Sequence, residues 1–101
     1  MRGTGKTKAM VEGLPEGGSI VIVHHGASAD YVRRMIRDLR GRHVEAATTV
    51  RAVTSRFEAD RVLRGMHRRV FIDHAFEDCA ERDVRLYTAD LARHSNARAF
   101  A

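Results

Sequence analysis

The first residues able to do chemistry stand at the front of the chain, in Gly3-Thr4-Gly5-Lys6-Thr7-Lys8. Glycines let backbone N–H groups turn toward an anion, and such groups gather at a helix N-terminus. A helix over residues 6–14 would present its N-terminus there. Two arginine-rich stretches come next. Arg33, Arg34, Arg37, Arg40 and Arg42 form the first, and Arg51, Arg56, Arg61, Arg64, Arg68 and Arg69 form the second. The planar guanidinium suits bidentate contact with phosphate or carboxylate. Helical spacing puts Arg33, Arg37 and Arg40 on one face, and the two stretches can join into one electropositive patch. The competing reading is a solvated face with internal ion pairs, such as Asp38 with Arg34 or Arg42.

Six histidines, His24, His25, His43, His67, His74 and His94, raise the question of a metal. Their spacing fits no common zinc pattern, and Cys79 is the only cysteine, so no metal site is expected. Asp73, His74 and Cys79 could be read as a nucleophile with a base. A lone cysteine reads better as a small core residue. His25 and His74 each follow a strand end, the edge where α/β proteins bind ligands. Tyr31, Phe71, Phe76 and Tyr87 read as core.

These groups need elements to hold them. Gly13-Leu14-Pro15-Glu16-Gly17-Gly18 is a loop. Residues 19–24 are a continuous β-branched run, as in a strand covered on both faces. Ser28 reads as the N-cap of a helix carrying Val32, Met35, Ile36 and Leu39, with Gly41 as its stop. Residues 44–53 are rich in Val and Thr and predict a second strand. Ser55-Arg56-Phe57-Glu58 is a capping-box pattern opening a helix that Gly65 ends. Residues 69–73 predict a third strand. A last helix carries Val84, Tyr87 and Leu91 on one face, and the tail from Ser95 is expected to be loose. The alternation predicts an α/β fold: a small three-layer sandwich with about three parallel strands and about four helices, in one domain spanning residues 1–101.

The balance of the chain bounds its class. Its 101 residues are 44% hydrophobic and 31% charged, a globular composition. There is no apolar run long enough for a membrane span and no secretory leader, so a cytoplasmic protein is expected. Eighteen Lys and Arg against thirteen Asp and Glu give a net charge of +5, which favours acidic or phosphate-rich partners. The recognisable signatures of RNA- or DNA-binding modules are missing, so any nucleic-acid contact would be backbone-driven and salt-sensitive.

The front of the chain resembles the second half of a P-loop, the Walker A motif of nucleotide hydrolases. The resemblance implies that Gly5, Lys6 and Thr7 bind phosphate, with Lys6 on the terminal phosphates and the Thr7 hydroxyl on magnesium. Val70-Phe71-Ile72-Asp73 is similar to a Walker B strand, whose Asp73 would hold magnesium through water. Residues 19–39 resemble the second strand and helix of phage-type helicase or terminase ATPases. The pattern departs from the family at three places. Its first glycine would fall before Met1, the strand that precedes the loop is not in this sequence, and His74 stands where helicase-type enzymes place a water-orienting Glu.

Two functional expectations follow. The first is a non-catalytic binding or inhibitor protein of phage or mobile-element type. It would dock through Arg33, Arg34, Arg37, Arg40, Arg61, Arg64, Arg68 and Arg69 on nucleic acid, or on an acidic face of a nucleic-acid-handling complex. By size and character it resembles anti-CRISPR inhibitors, which would make a CRISPR effector the partner, and it would need no cofactor. The alternative is a nucleotide-binding P-loop protein, or a subunit of an ATPase, that takes ATP and magnesium at Gly5, Lys6, Thr7 and Asp73.

Overall fold

The computed structural model describes residues 4–100. Its centre is the strand β1 (Ser19–Val23), in which every residue is buried. Burial on both sides explains why this run does not alternate with polar residues. Val21 and Val23 pack on one side with Val11, Leu14, Val32, Ile36, Val44 and Val50. Ile20 and Ile22 pack on the other with Val53, Leu63, Val70, Phe76 and Val84. One strand therefore serves two hydrophobic cores.

Helix α1 (Thr4–Glu12) precedes β1, and α2 (Gly26–Arg40) and α3 (Arg42–Ala47) follow it. Then come β2 (Thr48–Ala52), α4 (Arg56–Leu63), β3 (Val70–Ile72), α5 (His74–Cys79) and α6 (Arg82–Ala99). The sheet order is β2-β1-β3 and both pairings are parallel. Val21 lies opposite Val50 on one side and Phe71 on the other. Helices α1, α2 and α3 supply the first core, and α4, α5 and α6 supply the second. The expected three-layer α/β architecture is present, with six helices among the described residues.

Four local expectations change. Residues 44–47 are helical. Gly41, at φ 94°, both ends α2 and precedes α3, and it turns the chain so that Val44 enters the core. The second strand therefore starts at Thr48, whose hydroxyl donates to the Val44 carbonyl at 2.7 Å. The N-cap of α2 is His25, whose Nδ1 accepts from the Ser28 N–H at 3.3 Å. Ser28 sits inside the first turn. At α4, Ser55 caps as expected, accepting from the Glu58 N–H. The returning Glu58 carboxylate reaches one residue further, to the N–H and hydroxyl of Thr54 at 2.9 and 2.8 Å. These bonds hold the Glu58 carboxyl below its ordinary pKa.

The fourth change is the tail. Ser95 is fully buried inside α6. Its Oγ accepts from the Arg68 N–H at 3.1 Å and donates to the Arg68 carbonyl at 2.7 Å. Asn96 does the same for Val70, with Oδ1 on the N–H at 2.7 Å and Nδ2 on the carbonyl at 3.2 Å. Two adjacent side chains thus take the hydrogen-bonding positions of a neighbouring strand along the outer edge of β3. Exposed strand edges invite pairing with other chains, and this arrangement covers one. Sequence periodicity gave no hint of it because the partners are backbone groups far along the chain.

Candidate functional site

Thr7 points inward from α1, one helical turn before Val11, so both share its core-facing side. Only 6% of Thr7 and 4% of Asp73 is exposed. The Thr7 hydroxyl donates to Asp73 Oδ1 at 2.9 Å, across 66 residues of sequence. Asp73 lies just past the carboxyl end of β3. Its N–H donates to the Ile22 carbonyl at 2.9 Å, and its Oδ2 accepts from the Ala75 N–H at 3.3 Å as the N-cap of α5. The carboxylate is therefore fixed from the sheet, from α5 and from α1. Donating its proton to Asp73 leaves the lone pairs of Thr7 Oγ1 free, and such an oxygen is a ligand type that hard cations take.

Gly5 and Lys6 are exposed on the same first turn. Among the described residues a Cβ at Gly5 would meet nothing within 4 Å, so their packing does not demand a glycine there. The structure thus brings Thr7 and Asp73 together and leaves Gly5 and Lys6 open beside them. His74 follows Asp73, and its Nε2 lies 3.0 Å from Asp78 Oδ2 within α5. His24 follows β1 and stacks edge-on with His25 at 5.5 Å between ring centres. The His24 Nδ1 atom is buried without a hydrogen-bond partner among the described residues. Among those residues no three His, Cys, Asp or Glu side chains gather as a metal site. Cys79 is exposed, which corrects its expected place in the core. Tyr31 is likewise exposed, whereas Phe76 is fully buried.

The arginines divide by use. Arg33, Arg37 and Arg40 lie along α2, yet each reaches a different element. Arg33 donates to Asp30 and, at 2.8 Å, to the Val50 carbonyl of β2. Arg37 lies 3.6 Å from Glu45 of α3. Arg40 donates to the Val11 and Glu12 carbonyls at 2.9 and 3.1 Å, where its charge suits the C-terminal end of α1. Arg68 donates to the Ser19 and Ala47 carbonyls at 3.2 and 3.1 Å and to Thr49 Oγ1 at 3.4 Å. Gly18, at φ 110°, leaves room for this guanidinium, since a Cβ there would stand 3.0 Å from it. Arg64 bonds Asp60 and Tyr87. Arg69 lies over the rings of Phe71 and Phe100, at 5.2 and 5.0 Å from their centres. Arg34 and Arg61 are exposed. The ion pairs considered for Asp38 with Arg34 or Arg42 do not form among the described residues.

A cleft of about 370 Å³ opens along the carboxyl half of the edge strand β2, between α2 and α4. Arg33, Arg51 and Arg61 line it, together with Asp30 and Glu58. Arg51 belongs to the second basic stretch of the sequence but is not among the arginines expected to dock. Its strand position, facing this cleft beside two helical arginines, depends on the parallel pairing of β2 with β1.

Fold and contacts define a parallel α/β protein with a buried hydroxyl–carboxylate pair at the carboxyl edge of its sheet. No family model, curated protein or solved structure matches the chain. No helix among the described residues is long and apolar enough to cross a membrane.

Proposed function

We propose that the chain binds the phosphates of a nucleoside triphosphate, with magnesium, at the N-terminal turn of α1. The observation that carries this reading is the buried Thr7–Asp73 hydrogen bond. A threonine on the first helix and an aspartate at a strand end are the two groups that Walker-type chemistry needs side by side. In this reading Lys6 meets the terminal phosphates, backbone N–H groups near Gly5 receive phosphate oxygens, and Thr7 with Asp73 holds the cation, Asp73 through water. The cation would supply charge neutralisation of the phosphates. The reading is of binding without turnover, because His74, paired with Asp78, stands where a water-orienting carboxylate would be needed. Calorimetric titration of ATP with magnesium into the wild type and into Lys6→Ala tests it. Micromolar binding that the variant loses, with its circular dichroism unchanged, is the expected result. No heat from the wild type would end this reading.

A second reading is favoured by the arginine-lined cleft. There the basic side of the molecule docks on nucleic acid or on an acidic face of a nucleic-acid complex, and inhibition of a CRISPR effector would be one form of that docking. Arg51→Glu with Arg61→Glu then weakens binding to a single-stranded oligonucleotide at least tenfold in fluorescence anisotropy. Unchanged binding would remove the cleft from consideration.

A further inference from the structure

A second opening lies away from both of these places. A groove of about 290 Å³ runs between α1 and α2, floored by Tyr31, Met35 and Leu39. Tyr31 and Leu39 are 46% and 43% exposed. Lys8 and Arg34 stand on its rim with one acid, Asp38. On the other side of the sheet, α6 presents Leu86 to solvent, 53% exposed. Asp83 lies one helical turn before it, and Glu81 and Arg82 stand at the start of the same helix, all exposed.

We propose that these two surfaces are the halves of one contact, and that the groove between α1 and α2 receives the start of α6 from a second copy of this chain. Charge complementarity carries the choice of occupant. An apolar knob, Leu86, with Asp83 and Arg82 one helical turn before it, matches an apolar floor rimmed by Lys8, Arg34 and Asp38, so that Asp83 meets the two cations. The reversed charge on each side also finds a partner, Asp38 facing Arg82. The central sheet separates the two surfaces, so one pair of molecules cannot use both surfaces of each copy at once. The contact is heterologous and repeats head to tail. It involves neither Thr7 and Asp73 nor the arginine-lined cleft, so it stands apart from both functional readings.

Sedimentation velocity on the whole chain tests this. At low salt the wild type should sediment faster than a monomer as concentration rises to about 100 µM, where a contact with Kd ~10 µM is largely formed. Salt of about 0.5 M should reduce the effect, because the rim pairs are exposed to solvent. Lys8→Glu with Arg34→Glu breaks the groove and leaves the knob intact. Asp83→Lys with Leu86→Ser breaks the knob and leaves the groove intact. Each variant alone should be monomeric and folded by circular dichroism. Mixed together they should form a one-to-one dimer that grows no further, because only one intact contact remains. A wild type that stays monomeric throughout would overturn the proposal and leave the groove to a different protein. Variants that still associate alone, or that fail to pair when mixed, would overturn it as well.

Discussion

Thr7 and Asp73 illustrate how one hydrogen bond can be structural and chemical together. The bond is buried at both ends, so removing the Thr7 hydroxyl takes one of two donors from the Asp73 carboxylate in the interior and leaves only the Ala75 N–H. Loss of a partner from a buried charged acceptor costs about 1–3 kcal/mol or more. Thr7→Val keeps the shape and removes the hydroxyl. It should lower the urea midpoint by an amount corresponding to about 1–3 kcal/mol, because the Asp73 carboxylate loses a donor while staying buried. Serine at the same position restores the hydroxyl and should recover most of that loss. Lys6→Ala, by contrast, removes an exposed side chain and should leave the midpoint within about 0.5 kcal/mol of wild type. The pair of results separates the residue that holds the fold from the one that would hold only a ligand.

At the scale of elements, α4 and α6 are clasped by a small polar network. The Tyr87 hydroxyl donates to Asp60 Oδ1 at 2.6 Å, Arg64 bonds both, and Arg56 lies 4.4 Å from the centre of the Tyr87 ring. The tyrosine hydrogen bond is the main reason the Asp60 carboxyl sits below its ordinary pKa, with Arg64 adding to it and partial burial opposing. A depressed carboxylate contributes stability above its unfolded pKa and loses it as pH falls through the folded value. The wild type should therefore lose stability on acidification below the usual carboxylate range, about pH 4. Tyr87→Phe removes the largest cause, so the variant should be less stable near neutrality and show a smaller further loss in acid. Urea midpoints compared at about pH 7 and about pH 3 read this directly. A second element-scale device is the Ser95-Asn96 edge cover. Asn96→Ala removes two bonds to Val70 and should cost about 1–3 kcal/mol. Amide exchange should then quicken at Val70 and at the C-terminal turn of α6, with α1 and α2 unaffected.

At the scale of the whole molecule, the net charge of +5 gives a poor guide to free positive surface. Arg33, Arg40 and Arg68 donate to backbone carbonyls, and Arg37 and Arg64 face acids. Several of the cations that suggested a phosphate-binding face act as internal fasteners. They join α2 to β2, α2 to α1, and the entry of β3 to the starts of β1 and β2. The cleft arginines keep some reach toward solvent, with Arg51 and Arg61 exposed. If this cleft takes a polyanion, affinity should fall steeply with salt, by roughly tenfold for each fewfold rise in concentration when two or so phosphates are contacted. A salt-insensitive association would point to a protein face instead.

What the sequence determined by itself was whatever depends on near neighbours. The apolar run of β1 declared a strand covered on both faces, Gly41 declared the end of a helix, and Ser55 declared the start of one. Each follows from periodicity or backbone freedom within a few residues, and together they implied a parallel α/β sandwich. The resemblance of Gly5, Lys6 and Thr7 to part of a Walker A motif, and of residues 70–73 to a Walker B strand, raised the phosphate chemistry. Only the tertiary structure decided that Thr7 and Asp73 meet, because a bond across 66 residues depends on how α1 packs beside β3. It also decided that Val44 enters the core from a helix, that His25 caps α2, and that the end of α6 is anchored. The arginines show the limit most clearly. A guanidinium donates equally well to a phosphate, a carboxylate or a carbonyl, and its residue type alone does not choose among them. The choice was made by which carbonyls and acids the fold left within reach.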